Sequence, residues 1–207
     1  MAITRAFKNA VHQERRKTPI VINGNMQISQ RSVSTASITG DGFHCIDRMK
    51  LDLSDNGTWT NTQSTDVPAN TGFEHSLKMD CTSADSSLAA GSYHLWRYTF
   101  EAQDIKTLKK GTANAEYLTV AFYIKSNKTG TFTVEILDEE GDDRNISQTF
   151  TIDSADTWEK KVLSFVGDTS AAPTYDNTKG ISINIWMTGG STFTGGTLQT
   201  AWGAKTN

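Results

Sequence analysis

Apolar and polar positions alternate in short runs along most of the chain, and nearly every run is closed by residues that favour turns. The clearest case is 116–126, EYLTVAFYIKS, in which Leu118, Val120, Phe122 and Ile124 interleave with Tyr117, Thr119, Ala121 and Tyr123; Phe132, Val134 and Ile136 repeat the pattern in 131–138. Successive side chains of a strand point to opposite faces, so such a run buries one face and leaves the other to water or a partner. β-Branched and aromatic runs at 43–53, 58–65, 73–81, 93–100, 144–152, 158–166 and 181–189 predict further strands. KSNKTGT at 125–131, with Gly130 able to take a positive φ, and EEGDD at 139–143 read as hairpin turns between them. Many short strands at regular spacing predict an all-β, jelly-roll-like β-sandwich.

Two segments break the strand pattern. In EAQDIKTLKKG, 101–111, Ile105 and Leu108 face inward, Lys109 and Lys110 occupy the last turn and Gly111 is the left-handed terminator of one short crossover helix. In 1–18, Ile3, Phe7, Ala10 and Val11 recur at helical spacing behind Thr4 as N-cap, with Arg5, Lys8, Arg15, Arg16 and Lys17 mostly off that stripe. Pro19 ends this segment, because the residue before a proline is pushed out of the helical region. The expected organisation is a short N-terminal helical arm, 1–18, and one sandwich domain, 19–207.

A length of 207 residues suits a single core of this class. The net charge of −3 provides no general attraction for nucleic acid. No apolar run approaches the roughly 18 residues of a membrane-spanning helix, and the first residues lack the apolar core of a secretion signal, so folding in a cytoplasm without membrane insertion is expected. Cys45 and Cys81 both fall in predicted strands and are expected to be buried, reduced thiols.

Signals for catalysis are weak. Asp138, Glu139, Glu140, Asp142 and Asp143 read as a solvated turn, with a calcium contact as the minor alternative; acids sharing one setting are poor general acid and base partners. His12, His44, His75 and His94 have no zinc-ligand spacing, and no nucleophile elbow, phosphate loop or dinucleotide fingerprint occurs. No enzyme activity and no cofactor are therefore expected. Aromatic residues are more suggestive: if Ile181, Ile183 and Ile185 face the core, Asn184 and Trp186 face away, as do Tyr117 and Tyr123 on their own strand. With Trp96, Tyr98 and Phe100 inward, Tyr93 and Arg97 are also outward. An outward ring beside amide and guanidinium groups suits either a sugar or a subunit interface, and Tyr93, Arg97, Tyr117, Tyr123, Asn184 and Trp186 are the candidate ligand-binding residues.

INGNMQISQR, 22–31, reads as a first strand with a bulge or turn at Asn23-Gly24-Asn25, whose amides bond nearby backbone, followed by structural polar residues Gln30 and Arg31. Together with GFHCIDRMKLDLSDNGTWTNTQSTDVP, LKKGT at 108–112, KSNKTGT, TWEKK at 157–161 and GTLQTAWG at 196–203, it resembles a family of tailed-phage virion proteins, many of them tail-fibre or structural proteins of marine phages. In that family the first strand reads Asn-Gly-Asn/Asp and then Gln-Arg, and the next carries Asp-Arg-Trp; these correspond to Asn23, Gly24, Asn25, Gln30, Arg31, Asp47 and Arg48, with Met49 in place of Trp. Family members also usually continue past AWGAKTN with another strand pair, so the chain is expected to be either a short form or a fragment with an open sheet edge, and self-association is expected. The resemblance implies a jelly-roll module similar to carbohydrate-binding modules, located on the virion among other virion proteins, recognising host-surface glycan or attaching structurally. The alternative is the carbohydrate-binding module of a polysaccharide hydrolase.

Overall fold

A computed structural model describes residues 20–140 and 143–205. The predicted arm, 1–18, lies outside them. The strands are β1 (Ser34–Ile38), β2 (Lys50–Ser54), β3 (Thr58–Ser64), β4 (Ser76–Ser83), β5 (Tyr93–Glu101), β6 (Leu118–Ile124), β7 (Gly130–Asp138), β8 (Arg144–Ile152), β9 (Glu159–Phe165), β10 (Lys179–Gly189) and β11 (Gly203–Ala204). A six-stranded antiparallel sheet has the order β11-β8-β7-β10-β5-β2; β1-β3-β4 and β6-β9 form two smaller sheets. Among the described residues no helix is long and apolar enough to cross a membrane.

Alternation builds the layers. Ile181, Ile183 and Ile185 of β10, Val134 and Ile136 of β7, Ile146, Phe150 and Ile152 of β8 and Tyr98 and Phe100 of β5 form one buried cluster with Leu163 and Phe165 of β9, against which Leu118, Val120, Phe122 and Ile124 pack. The β6-β9 pair thus covers one part of the large sheet's inner face. A smaller cluster joins Leu51 and Leu53 of β2 to Ile38 of β1, with Trp59 of β3 and Met79 of β4 against it, so β1-β3-β4 covers the other part. Each fully enclosed large apolar side chain contributes ~1.5–3 kcal/mol. The result is an all-β, sandwich-like fold.

Several local expectations change. Residues 22–31 form a turn and an extended loop instead of a first strand. Asn23, at φ 60, takes over the role of a pairing strand: its Oδ1 accepts from Ile28 N at 2.9 Å, and its Nδ2 donates to Ile28 O at 2.9 Å and Asp47 O at 3.0 Å. Arg31 meets Asp47 at 3.3 Å and lies 5.6 Å from the Phe43 ring centroid, while Ile22 N donates to the Tyr98 hydroxyl at 2.9 Å. Asn23 and Arg31 therefore both meet Asp47, while Arg48 lies over the Tyr98 ring. Only 50–54 of the predicted 43–53 strand is regular; Cys45, Ile46 and Met49 enter the core from a bend before it. Cys45 is a buried free thiol as expected, but Cys81, on the edge strand β4, is exposed.

The crossover segment is a 3₁₀ helix, Ala102–Leu108, whose left-handed cap is Lys109 at φ 50. Ile105 is fully enclosed. Gly111 is also left-handed, at φ 78, and a Cβ there would lie 2.2 Å from Ala172 Cα, so no other residue fits without movement. Lys110 does not sit in solvent: its ammonium meets Asp138 at 2.8 Å and Asp168 at 3.5 Å and donates to the Ala171 carbonyl. Arg144 grips Asp168 through Nε at 3.1 Å and Nη2 at 3.2 Å. The acidic run is therefore not one solvated turn. Asp138 points inward to Lys110, Glu139 turns to Ser182, and Glu140 accepts from Thr174 N. Among the described residues no group of three or more His, Cys, Asp or Glu is arranged to hold a metal.

Candidate functional site

Parity that sends isoleucines into the core sends a second, polar set to the opposite face of the six-stranded sheet. Register places Lys50, Arg97, Asn184, Glu135 and Ser147 in one row across it, with Asp52, Leu95, Trp186, Thr133 and Thr149 in the next. Thr99, Ser182, Leu137 and Asn145 form a third row. These side chains are joined into a ribbon. Glu135 accepts from Asn145 Nδ2 at 2.7 Å, Asn184 Nδ2 at 2.9 Å and Trp186 Nε1 at 3.0 Å. Asn184 Oδ1 then accepts from Arg97 Nε at 2.8 Å, and Arg97 Nη1 reaches Asp52 at 2.9 Å and Glu139 at 3.6 Å. Lys50 closes the far end, between Asp52 at 3.4 Å and Asp41 at 2.8 Å. Glu135, Asn184, Ser182, Asn145 and Asp52 are buried, which is tolerable because nearly all their polar atoms are paired.

Accessible groups lie above and beside this floor. Tyr93, Trp186 and Phe193 form an aromatic cluster, with ring centroids 6.4 Å apart for Tyr93–Trp186, 5.6 Å for Tyr93–Phe193 and 5.3 Å for Trp186–Phe193. A register shift between Trp186 and Thr188 against β5 marks a bulge here, a device that re-aims a side chain. Phe193 belongs to a one-turn helix, Ser191–Thr194, at the start of the connection from β10 to β11. That connection begins beside β5, where Gly190 N donates to Ser92 O, and ends on β8, where Ser147 N donates to Gln199 O at 2.7 Å. With Phe193 on the outer aromatics, it runs as a strap over the polar face. Gly190 permits the start of the strap, since a Cβ there would meet Ala89 O at 2.2 Å.

Electrostatics follow from the pairing. The Lys50 hydrogen bond and charge hold the Asp41 carboxyl below the usual carboxylate range. Burial pulls Lys50 downward, but its bonds to Asp41 and the Asp52 charge outweigh that and leave it above its ordinary value. Desolvation and the Asp52 and Asp41 charges raise the Tyr93 phenol, keeping it a neutral hydrogen-bonding group.

Of the six sequence candidates, the structure brings Tyr93, Arg97, Asn184 and Trp186 onto one face. Tyr117 and Tyr123 are elsewhere, on the outer side of the β6-β9 pair. There Tyr117 is 66% exposed and Tyr123 meets Phe73 edge-on at 5.9 Å. Asn184 is fully buried and serves the floor, not the surface. Sequence reading missed Glu135, Asp52 and Asn145, although the parity of Val134–Ile136 and Leu51–Leu53 already sends Glu135 and Asp52 outward. Phe193 carried no such signal, because its place depends on where the strap folds.

No protein-family model matches the chain, and no curated protein matches it in sequence. Two solved structures show a distant likeness to it. The enzymatically active domain of bacteriophage CBA120 tailspike protein 4 is 19% identical, with a TM-score of 0.42 over 82% of this chain, which spans 19% of that chain's length. A structure of a carbohydrate-binding module, CBM4, is 12% identical, with a TM-score of 0.41 over 81% of this chain and 88% of that one. Neither likeness transfers a site or an activity to this chain.

Proposed function

We propose that this chain is a non-catalytic, glycan-recognising module of a tailed-phage virion, acting in host-surface recognition or attachment alongside other virion proteins and further copies of itself. The observation that carries the glycan reading is the pairing of Tyr93 and Trp186 with a rigid hydrogen-bonded floor. A pyranose offers an apolar C–H face to a ring and hydroxyls at its rim, and a site for it needs aromatic surface beside fixed polar groups. The ribbon supplies the fixed groups. Arg97 and Lys50, partly exposed and already oriented by Asp52 and Asn184, present donors at the edge of the rings. The non-catalytic reading is supported by the state of the carboxylates. Glycoside hydrolysis needs a pair of acids free to reach the scissile bond from both sides. Glu135 is engaged by three donors and Asp52 by two cations, so both are committed to the floor.

A glycan array followed by titration monitored through Trp fluorescence tests this directly. Trp186→Ala is expected to weaken binding by about tenfold or more, equivalent to about 1.4 kcal/mol, while Tyr117→Ala stays within about twofold. An absence of any glycan-dependent signal in the wild-type protein would remove the proposal.

A further inference from the structure

The charge of the polar face limits what kind of glycan it can take. The ribbon joins four carboxylates, Asp41, Asp52, Glu135 and Glu139, to two cations, Lys50 and Arg97. Both cations are already neutralised at short range: Lys50 lies between Asp41 and Asp52, and Arg97 between Asp52 and Glu139. Among the described residues, an incoming carboxylate or sulfate would find no unpaired positive charge on this ribbon, and its surplus of negative charge would repel it. Displacing Asp52 from Arg97 to make room would leave a buried carboxylate that is 8% exposed with less compensation, a costly exchange. The strap offers no help either. From Thr188 to Ala204 it has no charged side chain and is built mostly of Gly, Thr, Gln and aromatic residues.

We infer that the ligand of this face is an uncharged oligosaccharide, held by ring stacking on Tyr93 and Trp186 and by hydroxyl hydrogen bonds, and that uronate-bearing and sulfated polysaccharides are rejected. This rests on the glycan reading above and adds the ligand class. The mechanism of rejection is a difference of affinities set by like charge, which specificity commonly uses beside attractive contacts. Attraction by stacking and neutral hydrogen bonds also has a diagnostic property: it is not screened by salt, whereas capture of a polyanion is.

Affinity electrophoresis or calorimetry of the full chain against two sets of polysaccharide tests the inference. One set is neutral (an α-glucan, a β-1,3-glucan, a xylan and a mannan); the other is acidic (alginate, polygalacturonate and a sulfated galactan). The expected result is binding to at least one neutral member, lost in Trp186→Ala and changed by less than about twofold between about 20 and 500 mM salt. Binding confined to acidic members, weakening steeply with salt, would overturn the inference while leaving glycan recognition standing. Neutral binding unaffected by Trp186→Ala would place the ligand elsewhere and also overturn it. No binding to either set, nor to any glycan on the array, would remove the glycan reading itself and this inference with it.

Discussion

Two polar networks in this protein use the same chemistry in different ways. Around Lys110, two cations and two carboxylates are closed on one another: Lys110, Asp138 and Asp168 have side chains only 5%, 3% and 2% exposed, and Arg144 caps the group. Across the large sheet's outer face, the ribbon from Asn145 to Asp41 is buried at its centre but opens toward Lys50 and Asp41, which are 25% and 57% exposed, and it runs beside the half-buried rings of Tyr93 and Trp186. The first network balances charge and is sealed. The second carries excess negative charge and is reachable. A sealed, balanced cluster has no spare valence for a ligand, so its role is to fix the connection between the 3₁₀ helix and β7 and β8. An open network beside rings retains that capacity.

The largest effect should come from breaking the sealed cluster. Lys110→Met leaves Asp138 buried without its cation and should destabilise the fold by about 3–5 kcal/mol, read by denaturant unfolding. Adding Asp138→Asn removes the orphaned charge and should recover most of that loss; no recovery would mean that Lys110 acts through packing rather than pairing.

A third buried polar group has no network at all, and acid should expose that. Among the described residues both ring nitrogens of His94 lack partners, the ring packs tilted against Trp59 with centroids 4.0 Å apart, and burial lowers its pKa from 6.5 to about 4. At pH 7 the imidazole is neutral in both folded and unfolded chains. As pH falls through 6.5 the unfolded chain takes up a proton that the folded chain refuses, so this contribution to stability is present above 6.5, is lost on acidification and levels off below about 4. The loss amounts to about 3 kcal/mol. A His94→Gln variant whose stability falls equally steeply over that window would show that another group is responsible.

The open ribbon should be the more forgiving of the two. Arg97→Gln removes a partly exposed cation, and Asp52 keeps Lys50, so the expected loss is about 1–2 kcal/mol, smaller than at Lys110. Glycan binding should fall at the same time, because the oriented guanidinium beside the rings is replaced by a shorter amide. An Arg97 variant as destabilised as Lys110→Met, with binding unchanged in its folded fraction, would erase the distinction between the networks.

Much of this architecture was legible because strand parity is local information. Ile181, Ile183 and Ile185 announce β10, its inner face and, by subtraction, the outward direction of Asn184 and Trp186. Tyr117 and Tyr123 obeyed the same parity and still joined no site with them, because parity gives a face but not which sheet the face belongs to. Residues 22–31 misled for a different reason. Asn23 satisfies the backbone of Ile28 through its side chain, so a segment with strand-like alternation needs no partner strand. The burial of Lys110 was not legible either, since its partners Asp138 and Asp168 lie 28 and 58 positions away.

By itself the sequence determined that this chain would be pleated, layered and turned at Gly- and Asn-rich junctions, because those choices are made within a few residues by side-chain alternation and backbone sterics. Only the tertiary structure decided which polar residues would meet. Glu135, Asn184, Arg97 and Asp52 lie on different strands, and their hydrogen bonds exist because the register of those strands aligns them across one sheet. Register is a long-range property, set by how the whole core packs, and the candidate site is written in it.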